Sequence, residues 1–384
     1  MFYRKASQLN MIRYPYFYLS IFIWLLVYMS NQNSTNEVIT EEIQPIAGIL
    51  DQFNQLPSQP LALPLKRDIA FDENGGHIQG IQLFPQNGEL SAFLAGSSKD
   101  VAYVAEVSLG KEAQVETVDT LMLSPYRHAG GFQIYDHFLA VGIEDNNLRN
   151  TSKVMIYDLG ADKNWKKPVY TLERNGPYER STAGAIGITR YRDEVILVVA
   201  DWNARNLDFY SCPIVSFEKK TGHFTQIGSL ETASMERNSW SDSLWHSYQN
   251  INLLADESGL YAIAMGRDVE DNQVTDLFTI TLEDSIGNQI ISPVETDSQN
   301  QFTSLELVNK FSPREISLKK ISSKQFQCQG GADFRAGAGV FLSGSALVLA
   351  AAPNHMDNLS SINLFANPED LLISTPLGTL RINN

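Results

Sequence analysis

The chain has 384 residues, of which 43% are hydrophobic and 10% aromatic, so it is long enough for one large domain or two ordinary ones. Its formal net charge is −15, from 44 acidic and 29 basic residues. This acidic balance argues against non-specific nucleic-acid binding, which needs clustered lysine and arginine, and it suits a soluble protein or one that handles cations.

A basic and then apolar segment opens the chain. Arg4, Lys5 and Arg13 precede the apolar run Tyr14–Met29, a pattern typical of an export signal. The run is shorter than the roughly 20 residues that span a bilayer comfortably, and no small-x-small cleavage pattern follows it. Two interpretations stay open: residues 1–30 are a cleaved signal peptide, or they are retained as an anchor helix. Both place the rest of the chain outside the cytoplasm, as a secreted, periplasmic or membrane-anchored protein.

A linker is predicted between this segment and the main domain. Residues 31–60 are polar and then rich in proline and glutamine, with one short helix predicted within Val38–Phe53. The main domain is predicted to span residues 61–384. Its first strand, Leu61–Phe71, is expected to close the fold by pairing with Ser360–Phe365.

A strand-forming unit recurs along this domain. Between His128 and Leu159, the runs FQIY, FLAVGI and KVMIYDL are rich in β-branched and aromatic residues and are separated by turn formers, a pattern typical of an antiparallel meander. The segment GITRYRDEVILVVAD, from Gly187, can be laid over GFQIYDHFLAVGIED without a gap. Further copies start at His77, His246 and Phe334.

The repetition predicts a β-propeller. Sheet-forming repeats with a period of about 40–50 residues are typical of propeller blades, which stack radially and bury their faces against each other. We therefore predict an all-β fold, a β-propeller preceded by an N-terminal apolar export or anchor helix. Five copies predict five blades, and the stretch from Asp268 to Cys328 leaves room for a sixth. The alternatives are a β-sandwich or a β-helix, but sandwich strands do not repeat an in-register three-run unit with an acidic second corner.

The repeats also predict a ligand-binding rim. In a propeller, the start of each innermost strand and the connection between the second and third strands emerge on the same side. Applied to the five copies, this rule gathers four of the six histidines there, and an acidic residue from every such connection. The candidate residues are His77, Gln79, His128, Glu144, Asp145, Asp201, Trp202, His246, Asp333, Arg335 and His355.

Imidazole and carboxylate side chains suit a cation or a polar small molecule. Imidazole is the side chain best able to bind a metal or move a proton near neutral pH, and carboxylates can share a metal with it. A divalent metal is thus a candidate cofactor, with His77, His128 and His246 as candidate ligands. The structural alternative is that these repeated residues fix the blades to one another. Trp202 and Trp245 lie beside them in sequence and are candidates to stack against a sugar, or to pack at the rim.

Other reactive groups are scarce. Cys212 and Cys328 predict either one disulfide in an oxidising compartment or two buried thiols. The chain has no nucleophile elbow, no glycine-rich phosphate loop and no zinc-protease motif. The sequence therefore assigns no catalytic residue and does not decide whether the protein is an enzyme.

The run LAVGIEDN followed by KVMIYDL is similar to the LVIVD-type repeats of exported bacterial propellers. The similarity covers roughly residues 76–365 and implies architecture alone, because such propellers host binding modules, lyases and hydrolases. We expect an exported binding module that holds a small molecule, a glycan or a protein on its rim, with membrane contact only through the N-terminal segment. The alternative is a metal-assisted hydrolase or lyase that acts on a glycan or a phosphoester.

Overall fold

The structure is a computed structural model that describes residues 48–66, 76–86, 89–160, 163–284, 313–343 and 346–366, and two short strands near the C-terminus. The apolar N-terminal segment lies outside these residues, so the export or anchor helix stays a prediction. No helix in the described ranges is long and apolar enough to cross a membrane.

The described residues form five four-stranded antiparallel sheets, arranged as the blades of a β-propeller. The last blade is completed by the first described strand, β1 (Leu61–Lys66). Blade 1 contains β2 (His77–Gln86), β3 (Glu89–Ser97), β4 (Val101–Leu109) and β5 (Ala113–Leu123). Blade 2 contains β6 (Tyr126–Tyr135), β7 (Phe138–Asp145), β8 (Thr151–Asp158) and β9 (Tyr170–Asn175). Blade 3 contains β10 (Ala185–Tyr191), β11 (Glu194–Ala200), β12 (Asn206–Pro213) and β13 (Thr225–Glu231).

Two further blades complete the ring. Blade 4 contains β14 (Asn250–Asp256), β15 (Gly259–Arg267), β16 (Gln273–Glu283) and β17 (Glu315–Phe326). Blade 5 contains β18 (Ala332–Ser343), β19 (Ala346–Pro353) and β20 (Ser361–Phe365), with β1 as its outermost strand. A separate hairpin joins β21 (Ile373–Thr375) to β22 (Gly378–Leu380). The helical elements are short: α1 (Ile49–Gln55), α2 (Ile214–Glu218) and single 3-10 turns at Trp202–Ala204 and Thr232–Ser234.

The strand pairing confirms the predicted repeat and its closure. Asp136 and Arg192, which align in the two gapless copies, both have a positive φ (53° and 56°) in the tight corner between the first and second strands of their blades. β1 pairs antiparallel with β20, and Leu61 stands opposite Leu364. The ring is therefore closed by joining the two ends of the domain, which leaves no long edge strand between blades 5 and 1.

The stretch from Asp268 to Cys328, which was predicted to leave room for a sixth blade, belongs largely to blade 4. Within this stretch, Gln273–Glu283 forms β16, and Glu315–Phe326 forms β17, the outer strand of the same sheet. Residues 285–312 lie outside the described residues. The described part of the chain thus contains five blades.

The core is divided among the blade interfaces. Five clusters of buried apolar side chains each lie between two neighbouring blades, because each blade buries both faces. Helix α1 adds Ile49 and Phe53 to the cluster between blades 4 and 5. The compact domain therefore begins upstream of the boundary predicted at residue 61.

Amide side chains fill the axis of the ring. The Nε2 atom of Gln82 donates to Oδ1 of Asn252 over 2.9 Å, and the same oxygen accepts from the backbone N–H of Val340 over 2.7 Å. The Oε1 atom of Gln133 accepts from the backbone N–H of Leu253 over 2.8 Å. These bonds join blades 1, 2, 4 and 5 at the centre. The centre of the ring is occupied at this level by protein atoms.

Candidate functional site

The histidines that begin blades 1 and 2 meet on one rim. The Nε2 atoms of His77, at the start of β2, and His128, in β6, lie 3.3 Å apart. The Nδ1 atom of His77 is 3.1 Å from Oγ of Ser97, and Nδ1 of His128 is 3.0 Å from Oε1 of Glu144. The structure thus brings together three predicted rim residues, with Ser97 at one end of the chain of contacts.

Glu144 is held rigidly beneath this pair. Its carboxylate has no solvent exposure and accepts from the backbone N–H of Ala183 over 2.9 Å and from the indole N–H of Trp202. The guanidinium carbon of Arg149 lies 4.0 Å from the ring centroid of Trp202. Trp202, predicted as a candidate stacking surface for a sugar, is therefore in contact with Glu144 and Arg149 of blade 2.

The acidic residues in the connections between the second and third strands of the blades form hydrogen bonds within those connections. Asp145 accepts from the backbone N–H groups of Asn147 and Leu148 over 2.8 and 3.1 Å. Asp201 accepts from the backbone and side-chain N–H groups of Asn206 over 2.8 and 2.6 Å, and burial raises its pKa. Such local bonds from Asp to nearby N–H groups stabilise tight turns. They account for the recurrence of acidic residues at these corners.

His246 belongs to a different cluster, inside blade 4. Its Nε2 atom lies 3.8 Å from Oδ2 of Asp276, which also accepts from the hydroxyl of Tyr248 and from Nζ of Lys320 over 2.8 Å. Lys320 also pairs with Asp242 over 2.9 Å. Burial, and then the neighbouring Asp276, raise the pKa of Tyr248 far above its usual range. Lys320 and Asp276 are fully buried, so this cluster is an internal ion pair.

The remaining candidates are dispersed around the rim. Asp333 accepts two bonds from Arg267, over 2.9 and 2.7 Å, which tie blade 5 to blade 4. Arg335 points outward and is 3.8 Å from Asp271. Gln79 is buried in β2, whereas His355 is exposed in the corner between β19 and β20. The eleven predicted residues therefore do not form one pocket.

The disulfide expected as one possibility is not formed. Cys212 and Cys328 are both free, because Cys212 packs between blades 2 and 3 while Cys328 lies against the cluster between blades 4 and 5. Burial raises the pKa of both thiols, that of Cys328 to about 12. Of the two thiols predicted to be buried, Cys212 is buried and Cys328 is partly buried.

A pocket of about 480 Å³ opens on this rim beside blade 3. Most of its lining residues were not predicted from the sequence, because they come from irregular loops rather than from the repeated strands. The lining side chains that matter below are Tyr178, Arg180, Asp201, Arg205, Glu231, Arg237 and Trp245. Three guanidinium groups thus converge on one pocket of a chain whose net charge is −15.

Two of these arginines are paired with carboxylates. Arg180 donates from both terminal nitrogens to Asp208, over 2.7 and 2.6 Å. Burial by itself would raise the pKa of Asp208, but the bonds from Arg180 and its other partners hold it below its usual range. Arg205 donates to Glu179 over 2.9 Å. These ion pairs fix the side chains of Arg180 and Arg205 in the wall of the pocket. They leave less of the positive charge of the two arginines available to a ligand.

Arg237 and Trp245 differ from Arg180 and Arg205 in their hydrogen-bonding partners. Arg237 donates to the carbonyl groups of Thr232 and Ser243 over 2.6 and 3.2 Å, so its positive charge is held by neutral acceptors. The indole N–H of Trp245 is buried, and it has no acceptor within the described ranges. A buried donor without an acceptor is costly unless a ligand or water supplies one.

The part of the chain that the structure describes contains no group of three or more His, Cys, Asp or Glu side chains arranged around one metal ion. The three metal candidates are split: His77 and His128 contact each other, whereas His246 faces Asp276.

Comparisons with known proteins leave the family open. No protein-family model matches the sequence, and no curated protein matches it, so the resemblance to LVIVD-type repeats stays a prediction. Solved structures of propeller-like shape include the catalytic domain of a Coprinopsis cinerea GH62 alpha-L-arabinofuranosidase, at 10% identity and a TM-score of 0.41 over 81% of this chain and 98% of that one. A Podospora anserina alpha-L-arabinofuranosidase is 9% identical, with a TM-score of 0.41 over 81% and 98%.

A third similar structure is a thermostable family-43 glycoside hydrolase, at 10% identity and a TM-score of 0.38 over 77% of this chain and 91% of that one. At such scores the similarity assigns neither a family nor a function to this chain. The five-bladed architecture stands on its own strand pairing.

Proposed function

We propose that the protein binds an acidic saccharide, one that carries carboxylate or sulfate groups, in the rim pocket beside blade 3. The observation that carries this proposal is the presence of Arg237 and Trp245 in one pocket. Arg237 contacts two carbonyl groups and the ring of Trp240 but no carboxylate in the described ranges, and the buried indole N–H of Trp245 has no acceptor there. A volume of about 480 Å³ is within the range of small-molecule sites.

The chemistry of the lining favours this ligand class. A guanidinium group matches carboxylate and sulfate oxygens with two parallel N–H donors, which gives both energy and orientation. Trp245 and Tyr178 supply aromatic surface of the kind that packs against the apolar face of a sugar ring, and Tyr178 is 64% exposed at the mouth. The acidic chain would repel a free polyanion elsewhere on its surface, so recognition depends on this pocket.

Replacing Arg237 by methionine tests the proposal. We expect the affinity for an acidic oligosaccharide such as oligogalacturonate to fall about 10- to 150-fold, because a charge-assisted hydrogen bond is worth about 1.5–3 kcal/mol. Calorimetric titration measures the change, and Arg237→Lys should recover only part of it because an ammonium group lacks the planar fork.

The matched control is Arg190→Met, which removes an exposed arginine near the opposite end of β10. It should bind as the original chain does, and thermal unfolding should show that both variants fold. Equal affinity for a neutral oligosaccharide of the same length would contradict the proposal. So would an Arg237→Met variant with unchanged affinity.

A second candidate function is cleavage of the bound glycan. Asp201 and Glu231 both line the pocket, and burial raises the pKa of Asp201 whereas Glu231 is exposed. Two carboxyl groups in contrasting environments are what glycoside hydrolysis uses, one as acid and one as base or nucleophile. The test is the appearance of new reducing ends during incubation with the oligosaccharide. Cleavage that Glu231→Gln abolishes would support hydrolysis, and binding without cleavage would leave the binding function alone.

The proposed site of action is outside the cytoplasm, because residues 1–30 read as an export signal or anchor. We expect the full chain to be found outside the cytoplasm on cell fractionation, and a chain that starts at residue 45 to stay inside. A full chain recovered with the cytoplasmic fraction would contradict this prediction.

A further inference from the structure

Two loops that meet at the mouth of the acidic-saccharide pocket bring a further arginine next to it. Arg149 lies between β7 and β8, whereas Tyr178 and Glu179 lie between β9 and β10. The backbone N–H of Glu179 donates to the carbonyl oxygen of Arg149 over 2.6 Å, so the two loops are joined. The guanidinium of Arg149 also donates to the hydroxyl of Tyr178, a lining residue of the pocket, over 3.1 Å. Arg149 is therefore a direct neighbour of the pocket without lining it.

Two arginines at this mouth share one carboxylate. The Oε1 atom of Glu179 accepts from Arg149 over 3.0 Å, and its Oε2 atom accepts from Arg205 over 2.9 Å. The bond from Arg205, and to a lesser degree the bond from Arg149, holds the pKa of Glu179 below its usual range, so this carboxylate is ionised at neutral pH. The three side chains thus combine two positive charges with one negative charge, and the described ranges provide no second carboxylate for either arginine.

Both guanidinium groups keep donors for a ligand. A guanidinium has five N–H donors in a planar fork. Those of Arg149 bond to one carbonyl, one hydroxyl and one carboxylate oxygen in the described ranges, and those of Arg205 bond to one carbonyl and one carboxylate oxygen. The two side chains are 32% and 49% exposed, so the remaining donors are accessible to a molecule that approaches the mouth.

The guanidinium of Arg149 is already held in place before a ligand binds. Its central carbon lies 4.0 Å from the ring centroid of Trp202, and the indole N–H of Trp202 is in turn bonded to the buried Glu144. A free arginine side chain loses rotamer freedom when it binds a ligand, whereas a stacked one has lost most of that freedom beforehand. Exposed ion pairs contribute little to stability, so this ordered arrangement is better explained by ligand binding.

From these contacts we propose that Arg149, Arg205 and Tyr178 form a second anion subsite at the mouth of the pocket, so that the ligand is a saccharide chain with at least two acidic units. The first unit binds at Arg237 and Trp245. The next unit places its carboxylate or sulfate against the guanidinium groups of Arg149 and Arg205 and its sugar ring on the exposed ring of Tyr178. This second subsite depends on the proposed function, because it extends the site that binds the first unit.

The experiment compares galacturonate with trigalacturonate by calorimetric titration into the full chain. We expect the trimer to bind at least about 10-fold more tightly than the monomer, because one further charge-assisted hydrogen bond is worth a change of that size. Sodium chloride should reduce the ratio of the two affinities, since the charges at the mouth are exposed and therefore screened by salt.

Variants locate the second subsite. Arg149→Met should weaken binding of the trimer by about 10-fold and leave the monomer affinity unchanged, because Arg149 does not line the pocket. Arg149→Lys should recover only part of the loss, since an ammonium group lacks the planar fork. Arg237→Met, by contrast, should weaken binding of both saccharides. The matched control is Arg127→Met, which removes the same charge from the same rim at blade 1, where Arg127 donates to the carbonyl oxygen of Ser98 over 3.0 Å. It should keep the trimer preference.

Two results would overturn the second subsite while leaving the proposed function intact: equal affinity of the original chain for the monomer and the trimer, or a trimer preference that persists in a folded Arg149→Met variant. Binding of neither saccharide would overturn both proposals. The comparison of monomer with trimer is made on the unchanged chain, so it tests the subsite even if a variant unfolds.

Discussion

Replacing Lys320 by methionine should cost about 3–5 kcal/mol of the free energy of unfolding. Lys320 has no solvent exposure, and its ammonium group pairs with Asp276 over 2.8 Å and with Asp242 over 2.9 Å. Methionine fills a similar volume but leaves the Asp276 carboxylate charged, buried and without its cation. Removal of one partner from a buried ion pair is strongly destabilising because of that uncompensated charge. Denaturant unfolding measures the loss.

The matched control for this prediction is the residue immediately before Lys320 in the same strand. Lys319 is exposed, so Lys319→Met should change the free energy of unfolding by less than about 0.5 kcal/mol. The double variant Lys320→Met with Asp276→Asn should recover part of the loss, since it removes the stranded charge together with its partner. If Lys320→Met and Lys319→Met were equally stable, the buried pair would not have the energetic role assigned to it.

Replacing Gly339 by alanine should destabilise the ring by about 3 kcal/mol or more. Gly339 lies in β18 at the axis, where an added Cβ would be 1.9 Å from the carbonyl oxygen of Ile81 and 2.2 Å from Nε2 of Gln82. The first of these neighbours is backbone, so β2 must shift away from β18, and the bond from Gln82 to Asn252 is strained with it. Overpacking in well-packed interiors costs about 1–3 kcal/mol, and a backbone collision lies at or above the top of that range.

Gly259→Ala is the control for the axis. Gly259 begins β15, and nothing lies within 4 Å of the Cβ that alanine would add there, so its effect should stay within about 0.5 kcal/mol. Thermal and denaturant unfolding of the two alanine variants compare the positions directly. A Gly339→Ala chain as stable as Gly259→Ala would mean that the blades can move apart at the axis without cost.

Much of the fold could be predicted because its determinants are local. The alternation of β-branched and aromatic runs with turn formers marks each blade, and the aligned corners at Asp136 and Arg192 adopt the same left-handed conformation. Closure through β1 and β20 followed from the same reasoning, since an unpaired outer strand at each end of the chain would be exposed. The helix before Leu61 was harder to place in the domain from the sequence, because Ile49 and Phe53 of α1 pack against residues of blades 4 and 5 that lie more than 200 residues away.

The rim was predicted in part. The propeller rule that places strand starts and second corners on one side is topological, and three of the residues that it selected, His77, His128 and Glu144, lie next to one another in the structure. This rule could not distinguish acidic residues that face a ligand from acidic residues that hydrogen-bond within their own corner. Asp145 and Asp201 accept bonds from N–H groups two to five residues later in the chain, a local choice that short acidic side chains often make.

The sequence by itself determined that this chain is a repeated, strand-forming, acidic protein, because those properties depend on neighbours along the chain. Only the tertiary structure decided which polar groups face one another. The amide-filled axis around Asn252, the ion pair of Lys320 and the guanidinium pocket around Arg237 each join segments far apart in sequence. Their pairing depends on the distance and register between blades, which no local pattern encodes.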